Sequence, residues 1–391
     1  MACATVLLFS PSCRESSTPD SVRSPGITAK EIVIGCSAAL GGHAQFLGTQ
    51  YLHGAQAWLN DVNRRGGIHG RTVRLLVYDD QYEPPRTVAN TQRLISQDKV
   101  FALFNYVGTP TSVKIVDIVQ AQRVPALGFF TGAEPLREPF RPMMFHVRDS
   151  YYAEAEGAMA YFVDKLGLRR VAVMYQEDAF GLAVLSGVQL ALGRRGLKTA
   201  ATDTYERGTM ELEQPLETIR QSQAELVVMV GTYSPLAKFI ASAHDAEYFP
   251  YFHTVSFVGS EAFGKELVET RKISPQQYER IVVTQVVPSP YRTDLPAVRR
   301  FTELQRESFP EDELNYVALE GFLNGIVLTK ALTAAGPRPT RAQLIDALES
   351  MRDVDLGIGK GITYGKQDHA GIEGIWYSRL SEHGRFESFE P

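Results

Sequence analysis

The stretch 99-KVFALFNYVGTPTSVKIVDIVQ-120 decides how the rest of the chain is read. A β-prone apolar run, Val100 to Tyr106, leads in, and a stretch with apolar residues at helical spacing, from Thr111, leads out. Between them lies VGTPTS, a turn of glycine, proline and hydroxyl side chains with no group fit for acid–base work. A strand that passes through a neutral turn into a helix is half of a βαβ unit, and repeated units of this kind build a parallel sheet.

The same alternation extends outward in both directions. EIVIGCSA (31–38) reads as a strand and Gln50 to Asn63 as a helix, stopped by Gly66-Gly67. RTVRLLVYDD (71–80) is the next strand, Arg86 to Asp98 the next helix, and VPALGFF (124–130) a further strand. The pattern then restarts. Ala153 to Leu166 reads as a helix, RRVAVMY as a strand and Gly181 to Gly193 as a helix. LKTAATDTY, ELVVMVG, YFHTVSF and ERIVVTQVV supply strands, with a helix from Pro235 to Ala246. After residue 290 come two long helices and the strand-like GIEGIWYSRL, with no second sheet expected among them. The predicted fold is α/β, with two Rossmann-like lobes, mainly parallel sheets and a multi-crossing hinge. Lobe 1 is expected over 28–147 and about 289–369, and lobe 2 over 148–288 and about 370–391, after a tether over 1–27.

Composition narrows the function. The 391 residues carry 40 Lys and Arg against 45 Asp and Glu, a net charge of −5, so there is no basic footprint for nucleic acid. No apolar run approaches the roughly 18 residues of a membrane-crossing helix. Of three cysteines, Cys3 and Cys13 lie at the N-terminus and leave Cys36 alone in an apolar context, which excludes a disulfide framework. MACATVLLFSPSC followed by the polar RESSTPDSVRSPG looks like the end of a secretory signal, with Cys13 placed for lipidation and Ser12 before it. Ser10 departs from the leucine usual three places before such a cysteine.

Catalytic parts are missing. GCSAALGG (35–42) lacks the G-x-G-x-x-G spacing, Gly359-Lys360 lacks the P-loop glycine, and Ser186 and Ser256 lack a nucleophile elbow. The eight histidines show no metal-ligand spacing, so neither cofactor nor metal is expected. The chain has instead strand-end loops rich in Gly, Ser, Thr and aromatics: 39–48, 105–112, 129–136, 175–181, 231–235 and 256–264. In open α/β sheets ligands bind outside the carboxyl ends of the strands. These loops place Gly108, Phe130 and Phe257 among the candidate contacts.

IVIGCSAALGGHAQFLGTQYLHGAQAWLNDVNRRGGIHGRTVRLLVYDD (32–80), VGTPTS, TGAEPL (131–136), YQEDAFG (175–181) and YVALEGF (316–322) together carry a family resemblance. Over about residues 28–391 the chain resembles a class I periplasmic binding protein of the branched-chain amino-acid type, the solute receptor of an ABC importer. The resemblance implies two lobes closing on a small ligand, without chemistry. Thr109 matches a residue that binds the ligand carboxylate, helped by the following helix N-terminus at about 0.3–1 kcal/mol. Thr131 or Gly132 matches a second carboxylate contact. Phe46 matches an aromatic over the ligand side chain, Phe180 stands where the family usually has Tyr, and Tyr233 and Ser234 sit at another contact. Glu261 matches an acid that pairs with the ligand ammonium, and Tyr316 an aromatic near the side-chain pocket. Tyr151 and Tyr152 lie at the crossing, within reach of the cleft. The expected function is an extracytoplasmic binder of an aliphatic or aromatic amino acid, a monomer serving ABC permease subunits. A sensor for a signalling partner and a binder of aromatic acids or amides are the alternatives; an enzyme, hinted at by Glu261 and Asp178, lacks a nucleophile–base pair.

Overall fold

The computed structural model describes Met1 and residues 24–391. Cys13 and its surroundings lie outside the described residues. Among those described, the chain forms two central sheets and a small third one.

The first sheet collects β1 (Glu31–Ala38), β2 (Thr72–Asp79), β3 (Ala102–Phe104), β4 (Ala126–Leu127) and β5 (Met144–Phe145) in the order β2-β1-β3-β4-β5, all parallel. β1 is buried along nearly its whole length, as a strand covered on both faces must be. Its crossovers are α1 (Gln45–Arg64), α2 (Pro84–Ser96), and the broken pair α3 (Thr109–Ser112) and α4 (Val116–Gln122).

The second sheet runs β15-β14-β10-β9-β8-β6-β7. It is entered through α5 (Tyr151–Met159), and its parallel part is β6 (Val171–Gln176), β7 (Ala201–Tyr205), β8 (Leu226–Val230), β9 (Tyr251–Thr254) and β10 (Ile281–Gln285). Helices α6 (Ala179–Arg194), α7 (Glu213–Gln221), α8 (Tyr233–Asp245) and α9 (Ser260–Lys265) connect these strands. The chain then supplies α10 (Pro296–Ser308), α11 (Tyr316–Ala334) and α12 (Arg341–Glu349), followed by β11 (Val354–Asp355), β12 (Gly361–Gly365) and β13 (Asp368–Gly371). Finally β14 (Trp376–Leu380) and β15 (Phe386–Phe389) return antiparallel to the edge of the second sheet. The backbone thus passes between the central sheets at 146–150, 286–295 and 372–375.

Helices α1 and α11 pack at backbone distance. A Cβ at Gly54 would stand 1.7 Å from the Ala318 carbonyl oxygen, and one at Gly321 would stand 2.0 Å from that of Tyr51. α11 is long and apolar enough to cross a membrane by length and composition, although Glu320, Asn324 and Lys330 interrupt its apolar run. Its residues are spent on packing, with 83% of the apolar window buried.

Several local expectations are corrected. The strand expected over 124–130 is continuous only at Ala126–Leu127, with an isolated parallel bridge resuming at Phe130, because Gly128 turns left-handed (φ 76°) where the Asn105 and Asn324 side chains fill the space beside it. α5 ends in a π turn, Ala160–Lys165, rather than running regularly to Leu166. The C-terminal third does hold a sheet of its own, β11-β12-β13, antiparallel, with β12 and β13 joined by a tight turn. β15 follows the Ser381–Arg385 turn that closes on Gly384.

Candidate functional site

The site starts where β3 ends. Beyond it, Val107 still bridges Phe130 in parallel, which brings the loops after β3 and β4 side by side. Gly108 then adopts φ 93°, and a Cβ there would stand 2.0 Å from the ring of Tyr82, so the position requires glycine for conformation and for space alike. This turn sets the Thr109 hydroxyl 2.6 Å from that of Thr131. Thr131 also accepts from the Ala133 amide at 3.2 Å, and both threonines are fully buried.

Gly132 closes the next link, its carbonyl accepting the Tyr151 N–H at 2.8 Å. The Tyr151 ring is thereby fixed against the threonine pair, with its buried hydroxyl within reach of both side chains but outside hydrogen-bond geometry with either. Opposite lie aromatics carried by the second sheet. Asp178 caps α6 by accepting from the Phe180 and Gly181 amides at 2.8 and 3.2 Å. Phe180 is held 5.4 Å from Tyr151 and 4.6 Å from Phe257, ring centre to centre. Phe257 meets Phe130 at 5.1 Å, and Phe46 meets Tyr233 edge-on at 6.0 Å. Of the residues taken from the loops, Gly108, Thr109, Thr131, Gly132, Phe130, Tyr151, Phe180 and Phe257 therefore converge where the two sheets face each other.

Other candidates go elsewhere. Tyr152 packs against Gly187 of α6, since one residue along a helix turns the side chain about 100° away from Tyr151. The Ser234 hydroxyl donates to Glu266 within the second lobe, at 3.1 Å. The Tyr316 hydroxyl donates to the Phe386 carbonyl at 3.4 Å and points into the C-terminal strands. The helix N-terminus expected to favour a carboxylate is cut short, because α3 lasts four residues before a 3-10 turn at Val113–Ile115.

Glu261, at the start of α9, accepts the Tyr316 N–H at 3.1 Å, while its other carboxylate oxygen is enclosed and without a partner. Burial raises its pKa to about 8. With Phe46, Gln50, Tyr291 and Asn315 it lines a cavity of about 450 Å³ between the lobes and the hinge.

Two residues were missed in the sequence. Tyr82, fully buried, joins the ring cluster at its edge, 6.0 Å from Phe257 and 5.3 Å from His43, ring centre to centre. Arg148, fully buried in the first crossing, donates to the Ser256 hydroxyl and lies 3.6 Å from carboxylate oxygens of both Glu154 and Glu320. Its guanidinium stands 5.0 Å from the Phe130 ring centre and 5.7 Å from that of Tyr151. Glu154 accepts from the Ser256 amide and from the hydroxyls of Ser256 and Thr284, whereas burial leaves Glu320 with a pKa of about 7. The only sequence signal was a lone arginine inside FHVRDSYY. Among the described residues no group of three or more His, Cys, Asp or Glu side chains could hold a metal ion.

The comparisons agree with this architecture. The sequence profile described as "Periplasmic binding protein" matches residues 31–385. A possible leucine/isoleucine/valine-binding protein from Rhodopirellula baltica superposes with TM-score 0.86 at 31% identity, over 95% of this chain and 98% of that one. A substrate-binding periplasmic protein from Ralstonia solanacearum gives 0.84 at 26% identity, over 92% and 100%. An amino acid binding protein of Pseudomonas aeruginosa is 24% identical over 65% of this chain and 67% of its own length. With two α/β lobes, three crossings and a buried ring of strand-end loops between them, the chain belongs to the periplasmic binding protein family, as a class I member of the type that includes the Leu/Ile/Val-binding proteins.

Proposed function

We propose that the protein is an extracytoplasmic solute receptor that closes on a small carboxylate, an amino acid, and presents it to the membrane subunits of an ABC permease. One observation carries this reading: the hydroxyls of Thr109 and Thr131, from adjacent strand ends of one lobe, meet at 2.6 Å opposite the rings of the other. A carboxylate entering there can accept from both hydroxyls, and no cation need be desolvated to receive it. Phe180 and Phe257 then cover the ligand body, and closure of the lobes about the crossings seals it. The unpartnered oxygen of Glu261 supports an ammonium partner, since a charge enclosed without a counter-charge is costly. The receptor works as a monomer and is exported, with Cys13 as the candidate lipid anchor.

Thermal shift and calorimetry against the amino acids and their deaminated analogues test the reading. A ligand at 100 times its dissociation constant adds about 2.7 kcal/mol of stability. Failure of every carboxylate to stabilise the protein removes the proposal. Mass spectrometry of the native protein tests export; an intact Met1 in the cytosolic fraction contradicts it.

A further inference from the structure

Between the lobes, beside the threonine pair, three buried polar atoms have no hydrogen-bond partner: the hydroxyls of Tyr82 and Tyr151 and the side-chain oxygen of Gln176. These residues are 0, 0 and 1% exposed. Such atoms are rare in folded proteins, and each calls for a specific reason. They come from both lobes, Tyr82 from the loop after β2, Gln176 from the end of β6 and Tyr151 from the first crossing. The Gln176 side chain stands beside the Tyr82 hydroxyl, within reach of it but outside hydrogen-bond geometry. The Gln176 amide orientation is fixed, because its N–H group must donate to the Asp178 carboxylate, at 2.5 Å, which leaves its oxygen as an acceptor.

The chain holds Tyr82 here against a cost. Gln81 and Tyr82 both take left-handed backbone (φ 54° and 64°), consecutive and neither of them glycine. The buried Asp80 carboxylate fixes the turn by accepting the Tyr82 N–H at 2.9 Å. Gly108 gives up its side-chain volume to the Tyr82 ring, which also lies 6.0 Å from Phe257 of the other lobe.

We propose that Tyr82, Tyr151 and Gln176 form a polar subsite for the ligand's side chain, and that the ligand carries a hydroxyl or carboxamide there. Two phenols and one amide oxygen offer donors and an acceptor together, which matches a group that both donates and accepts. A methyl group set against these three atoms would leave all of them unsatisfied, which is how a site built for a hydroxyl rejects the analogue lacking it. The inference rests on the carboxylate reading given above and specifies what the rest of the ligand is.

Calorimetry on near-isosteric pairs tests it: valine with threonine, leucine with asparagine, phenylalanine with tyrosine. The polar member of at least one pair should bind the wild-type protein more tightly, by roughly tenfold to a hundredfold. Tyr82→Phe should collapse that ratio while leaving the apolar partner's affinity in place, and should melt no lower than wild type without ligand, since it removes an unsatisfied atom. Tyr151→Phe, reporting on the same subsite from the other side, should reduce the ratio and serves if Tyr82→Phe does not fold. Equal or tighter binding of the apolar member in every pair that binds overturns the subsite and leaves the carboxylate reading standing. So does a ratio untouched by the substitutions. Binding by none of the six overturns the subsite, while the carboxylate reading falls only if no carboxylate in the wider thermal-shift screen stabilises the protein.

Discussion

The Arg207 guanidinium of the second lobe donates to the Tyr82 carbonyl at 3.0 Å and pairs with the Glu83 carboxylate of the first at 3.1 Å. The contact joins the end of the β7 strand to the loop after β2, and lies across the mouth of the cleft. Glu83 is 46% exposed, so the pair is open to salt.

Arg207→Ala should therefore speed ligand release more than it slows association. A half-exposed pair with one backbone bond is worth about 1 kcal/mol, or roughly a fivefold faster dissociation. Stopped-flow release at low and high ionic strength checks it: wild type should approach the variant as salt rises, and a salt-independent difference would contradict the latch.

Thr109→Val keeps the shape and removes the hydroxyl that meets Thr131. Affinity for a carboxylate should fall by about 1–3 kcal/mol. Without ligand the loss should be smaller, about 0.5–1.5 kcal/mol, because Thr131 loses one hydrogen bond but keeps the Ala133 amide as a donor. Calorimetry and denaturant unfolding separate the two; unchanged affinity would remove Thr109 from the site.

Glu261 should make ligand-free stability depend on pH. Its folded pKa, about 8, stands above the unfolded carboxyl value, so the folded protein holds the extra proton. That contribution is complete below about pH 4.5 and is lost as pH rises to about 8. Glu261→Gln should flatten the decline in melting temperature over this window. It should also weaken an amino acid while sparing the matching deaminated acid; equal losses for both would make Glu261 structural.

Among the described residues Arg148 is the one cation paired with the buried carboxylates of Glu154 and Glu320. Arg148→Met should cost about 3–5 kcal/mol, because Glu154 and Glu320 would be left buried without it. Glu320→Gln should cost far less, since Glu320 accepts no hydrogen bond from the backbone or from a serine or threonine, unlike Glu154. Combining the two substitutions should recover part of the loss, measured by urea unfolding. Strictly additive losses would count against a shared network.

The alternation of apolar runs and amphipathic stretches determined the two α/β lobes, because burial of a parallel strand on both faces is written into consecutive residues such as Ile32 to Ala38. The loops after β3 and β4 were legible for the same reason: Gly108, Thr109 and Thr131 follow directly on strands whose carboxyl ends must face the cleft. Where a helical side chain points was not. Tyr151 and Tyr152 are neighbours in sequence with the same chemistry, and only the packing of α5 on α6 sends one into the cleft and the other onto Gly187. Tyr82 and Arg148 were invisible for a related reason, and Gln176 was legible only as one position of the loop YQEDAFG. Their significance lies in what surrounds them: the strained turn that holds Tyr82, the absent partners of its hydroxyl, and two glutamates brought to Arg148 from positions 154 and 320. Local pattern determines which elements form, because it acts through neighbours in the chain; the site depends on contacts between residues far apart in it, and those exist only once the lobes have packed.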